Sequence, residues 1–270
     1  MLGSLRTDIN VKIDEDNFDA STYAGRLTAR DFDLGKYFGD TLSFQRVSLN
    51  GSIKGKGLTK ENADFVLNGT IPSVGIRGYN YTNISTNARF AAEHFNGMLA
   101  INDPNLRLNA TGEVDLRKNV NSVQVKMEID TANFHNLNLS HKELRLTGRM
   151  DLDLSGLSLD TAVGRADLHN LYVAYDNQSM ALERVELFAE RSGTNRKFDL
   201  NTTLLDFDIT GNYQFTNMVR DIQRLVHEMS LNIRNDQQAI DAYYEEKRPI
   251  PTSYTANFEL NIHDIDPIAE

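Results

Sequence analysis

The 270-residue chain has 28 Lys and Arg against 38 Asp and Glu, a net charge of −10, and neither cysteine nor tryptophan. A net negative chain with no basic run excludes nucleic acid as a partner, because phosphates are tracked by a basic stripe, and the lack of cysteine excludes disulfides, Cys-ligated zinc and thiol catalysis. Apolar residues make up 40% and mean hydropathy is −0.44, a folded, water-soluble composition that suits a thin, elongated sheet better than a compact globule of this size.

In chain order, the start lacks a basic n-region followed by an apolar stretch, so it does not read as an export signal. No apolar run approaches the roughly 20 residues that span a bilayer. Leu5, Thr7, Ile9, Val11 and Ile13 alternate with polar residues, which predicts a strand with one apolar face. A loose repeat follows, with a glycine placed before an outward–inward pair: Gly51-Ser52-Ile53, Gly69-Thr70-Ile71, Gly112-Glu113-Val114, Gly148-Arg149-Met150 and Gly211-Asn212-Tyr213. Such glycines mark either turns or bends within strands. Period two returns at Val123, Val125, Met127 and Ile129, at Leu144 and Leu146, and at Met150, Leu152 and Leu154. It returns again at Phe207 and Ile209 and at Phe258, Leu260 and Ile262. Roughly fifteen such runs are bounded by Gly, Asn, Asp and Ser.

One segment has helical spacing. Met218, Val219, Ile222, Leu225, Val226 and Met229 predict an amphipathic helix over 216–229, with Thr216 as its cap. It is expected to pack on the sheet and cover its edge, or else to act as a gate across a groove. Residues 235–251 read as a polar linker or a short helix.

Motifs that carry chemistry are missing. The six histidines form no HxH, HxxxH or HExxH spacing. The pairs Asp151/Asp153, Asp206/Asp208 and Asp264/Asp266 alternate with apolar residues, as on the solvent face of a strand. No phosphate loop or nucleophile elbow is present, so the chain reads as non-enzymatic, with neither metal nor cofactor.

A sheet with one apolar face must pack as a sandwich, close as a barrel, or curl into an open trough filled by something apolar. The expected fold is all-β: a long, curled, antiparallel-rich sheet forming an open apolar groove. Its lining would be Ile9, Val11, Ile13, Val123, Val125, Met127, Ile129, Leu144, Leu146, Met150, Leu152, Leu154, Phe207 and Ile209. Stacked at ~4.8 Å, about fifteen strands make a trough of ~70 Å. A lining without fixed polar anchors suits acyl chains.

Four stretches resemble the TamB branch of the AsmA-like envelope proteins: Phe95 to Asp115, Ala132 to Ser140, Gly164 to Val173 with Leu182 to Leu187, and Phe198 to Tyr213 running into the helix. The resemblance implies a periplasmic β-groove that moves phospholipid between the inner and outer membranes, or a module assisting assembly of outer-membrane barrel proteins. It also implies an inner-membrane anchor and an outer-membrane barrel partner, both served by parts not in this chain. With Leu5–Ile13 and Phe258–Ile262 reading as strands at either end, the whole of 1–270 is expected to be one segment of a longer protein.

Overall fold

A computed structural model describes residues 2–57, 59, 61–158, 160–234, 237–245 and 254–263. Fourteen strands form one antiparallel sheet whose spatial order is the sequence order. They are β1 (Ser4–Lys12), β2 (Thr22–Asp33), β3 (Phe44–Lys56), β4 (Asp64–Ile76) and β5 (Tyr79–Ala91). Next come β6 (His94–Asn102), β7 (Leu106–Asp115), β8 (Ser122–Asn133), β9 (Leu144–Ser155) and β10 (Val163–Tyr175). β11 (Gln178–Ser192), β12 (Asn195–Thr202), β13 (Leu205–Asn212) and β14 (Thr255–Ile262) complete it. β1 pairs only with β2 and β14 only with β13, so the sheet is not closed. Among the described residues no second sheet packs against it, which removes both the sandwich and the barrel.

The pairing is interrupted at several points, among them the following. The register slips between Ala29 and Phe32 on β2, between Ser48 and Asn50 on β3, between Ile129 and Ala132 on β8, and between His169 and Tyr172 on β10. Asp31 and Asn170 adopt left-handed backbone beside two of these points, a conformation that short polar side chains tolerate. Next to the slips on β2 and β8, Ala29 faces Leu49, and Ile84, Ile101, Leu108 and Ile129 face one another in turn. A bulge bends its strand, so β2, β3, β8 and β10 bend at these points. Val47, Val74, Ile84 and Ile101 form a buried cluster, with Phe32, Leu49, Leu99 and Leu108 packed against it. Beside it, the fully buried Asp103 accepts hydrogen bonds from Thr82 N (3.0 Å) and Oγ1 (2.8 Å), from the Asn105 amide and from the Tyr79 hydroxyl.

The five repeat glycines lie inside strands rather than in turns. Gly112 shows why one is needed: at φ +146° its Cβ would sit 2.0 Å from the Gln124 carbonyl oxygen on β8.

Among the described residues three α-helices and a single 3-10 turn (Phe18–Ala20) interrupt the meander. The short α1 (Leu34–Phe38) is capped by Asp33, whose carboxylate accepts from Lys36 N at 3.0 Å. α2 (Phe215–Arg234) and α3 (Gln237–Glu245) form a hairpin inserted between β13 and β14. Two expectations are corrected here. The helix begins at Phe215 and runs past 229, so Thr216 lies in its first turn and is not a cap. The Thr216 amide instead donates to Asp160 Oδ1 at 3.3 Å, from the β9–β10 loop. Nor does α2 cover the sheet edge: its main packing among the described residues is against α3. That helix occupies part of the stretch read as a polar linker; 235, 236 and 246–251 lie outside the described residues, as do Asp264 and Asp266.

Candidate functional site

Residues directly opposite in antiparallel strands project from the same face. Following the register from β1 to β14 therefore identifies each face. One row runs Ile9, Gly25, Ile53, Leu67, Ala88, Gly97, Gly112, Val125, Leu152, Ala166, Leu187, Leu200, Phe207, Leu260. The row two residues away runs Val11, Tyr23, Gly55, Phe65, Phe90, Phe95, Val114, Val123, Leu154, Gly164, Ala189, Phe198, Ile209, Phe258. Neither row contains a charge, amide or carboxylate. The row between them faces the other way and includes Lys54, Arg89, Asn96, Glu113, Gln124, Asp153, Arg165, Asp199, Asp208 and Glu259.

Thirteen of the fourteen predicted lining residues fall on this one face. Ile9, Val125, Leu152 and Phe207 stand in the first row, and Val11, Val123, Leu154 and Ile209 in the second. Met127 faces Met150. Ile129 stands at the bend, and Leu146 and Leu144 lie beyond it, opposite Val173 and Tyr175. Ile13 is the exception. It follows the last paired residue of β1, where the chain turns and the Asp14 amide donates to the Ser21 hydroxyl, so it joins neither row.

Sequence reading missed Phe65, Phe90 and Phe95: the Phe65 and Phe90 rings stack at 5.6 Å, and Phe95 meets Phe90 edge to face at 5.4 Å between centroids. It also missed Phe198 and Leu200, although Lys197-Phe198-Asp199-Leu200-Asn201 shows the same period-two signal. Gly97 and Gly112 face each other, and no apolar side chain advertises that part of the row. Burial varies along the face: Val125 is 8% and Ile209 2% exposed, whereas Val11 is 54% and Phe258 72% exposed. The terminal strands have a neighbour on one side only.

The opposite face is held by cross-strand ion pairs. Asp64 takes both nitrogens of the Arg89 fork at 2.7 Å, and Lys126 reaches Asp151 at 2.8 Å. Asp151 and Asp153 thus lie on the polar face, as their alternation predicts. His94, Glu113 and Asp115 come together across β6 and β7, a cluster no spacing along the chain reveals. Its oxygens are committed: Glu113 accepts from His94 (2.8 Å) and Asn96 (2.9 Å), and Asp115 is gripped by the Arg117 backbone amide and guanidinium. A metal ion would have to displace Arg117. That guanidinium holds the Asp115 carboxyl down at about 2. Asp208 moves the other way: burial and then the facing Asp199 raise its pKa. His135 and His141 form no pair, and the His135 ring lies 4.0 Å from Glu143.

Among the described residues no helix is long and apolar enough to cross a membrane. Comparison with protein-family models, with curated proteins and with solved structures found no match. Fold and register together define the class: an open, single-sheet antiparallel β protein in which two neighbouring rows on one face are apolar.

Proposed function

We propose that the sheet curls into an open trough, and that the apolar face carries phospholipid acyl chains across the periplasm, as the TamB-like resemblance implies. The observation that carries this reading is the row from Ile9 to Leu260, which crosses fourteen strands without a polar side chain. Stacked at ~4.8 Å, the strands span about 65 Å. An acyl chain gains ~0.8 kcal/mol for each CH₂ buried, about what it has in a bilayer, so loading and release are both feasible. The polar row behind keeps the outside wet.

The test is photo-crosslinking in the periplasm of cells carrying the full-length protein. A probe at Met127, on the apolar face, is expected to give a lipid adduct, and one at Lys126, on the polar face, none. Adducts to protein at Met127 would sink the lipid reading. They would favour assembly of outer-membrane strands, to which the one-sided pairing of β1 and β14 offers hydrogen-bonding edges.

A further inference from the structure

The helix α2 carries an apolar stripe that is largely exposed among the described residues. Val219, Ile222, Leu225, Val226 and Met229 are 46–61% exposed and Ile233 is 80% exposed. Helical periodicity puts Phe215 on the same stripe, at the i, i+7, i+14 positions with Ile222 and Met229. α3 takes the opposite side, where Tyr243 donates to Glu228 at 2.9 Å and its ring lies tilted against His227 at 5.1 Å.

The root of the helix stands on the apolar face. The Phe215 ring meets Phe198 at 4.9 Å and Tyr213 at 5.1 Å, edge to face. The buried Arg196 lies 5.7 Å from the Phe215 ring centre. The first turn also leans back along the sheet, because the Thr216 amide is held by Asp160 between β9 and β10. At 1.5 Å per residue α2 is about 30 Å long. At ~4.8 Å per strand that is the width of about six strands, the distance from β13 back to β8.

We infer that α2 is a strap for the trough, an inference resting on the lipid reading above. By rotating at Gln214, next to the buried Tyr213, it lays its stripe over the apolar face between β12 and β8. The stripe and an acyl chain then compete for one surface: the strap covers the face when lipid is absent and lifts when lipid occupies it. The physical drive is removal of two apolar surfaces from water in one movement.

Because the chain has no cysteine, disulfide trapping reads this directly. In the full chain, Met229→Cys is paired in turn with Leu152→Cys, with Leu187→Cys and with Asp153→Cys on the polar face of β9. Lipid-free protein is expected to cross-link to Leu152→Cys or Leu187→Cys at least tenfold more than to Asp153→Cys. Palmitoyl-oleoyl phosphatidylethanolamine vesicles are expected to cut that yield at least threefold. A yield to the apolar positions no greater than to Asp153→Cys overturns the strap, and labelling at Met127 still decides the lipid reading alone. Strong trapping that the vesicles leave unchanged keeps the closure and removes lipid as its competitor.

Discussion

The apolar face of the sheet and the apolar stripe of α2 are built from the same residue types, yet they meet opposite fates. On the sheet, Val125, Ile129 and Ile209 are buried beneath neighbours on flanking strands. On the helix, Ile222, Val226 and Met229 lie bare. A strand in a sheet has neighbours about 4.8 Å away on both sides, so side chains on one face cover one another even in a single layer. A helix stripe needs a separate element to cover it, and α3 sits on the wrong side. Periodicity therefore reports which way a side chain points, and the neighbours decide what that is worth.

The sharpest way to break the comparison is to charge the sheet face. Val125→Asp leaves an unpaired carboxylate among apolar neighbours and is expected to cost on the order of 3–5 kcal/mol. Gln124→Ser, one residue away on the exposed polar face, should stay within about 0.5 kcal/mol. Urea midpoints compare the two; equal losses would mean the faces do not differ as the register says. Next comes truncation in each region. Ile209→Ala should cost about 3 kcal/mol through its cavity, against less than about 0.5 kcal/mol for Val226→Ala, where alanine is also the better helix former. A comparable loss at Val226 in global unfolding would show that the stripe is covered.

Gly112 tests whether the close approach inside the sheet matters. With a Cβ 2.0 Å from Gln124 O, Gly112→Val is expected to lose about 2 kcal/mol, read as a lowered melting temperature. The smallest expected effect is acid loss at the rim of the polar face. Asp115 has its folded pKa depressed to about 2 by Arg117. Its contribution is complete above the unfolded value near 3.9 and disappears as pH falls towards 2. Urea midpoints at pH 5 and pH 3 should differ more in the parent protein than in Asp115→Asn. An equal difference would show that the pairing adds nothing.

The sequence by itself determined the faces. Alternation is local, because successive Cβ atoms in a strand must point to opposite sides, and thirteen of the fourteen residues chosen from it share one surface. It failed at Ile13, where a turn begins one residue early, and it passed over Gly97 and Gly112, which hold their places in the row without an apolar side chain. What only the tertiary structure decided is non-local. The order of the strands, the places where the register slips, and the meeting of His94 with Asp115 all depend on register between segments. The exposure of α2 belongs there too. A helical period fixes a stripe, but whether it is buried depends on where Asp160, Phe198 and α3 hold the helix, and no window of sequence contains all three.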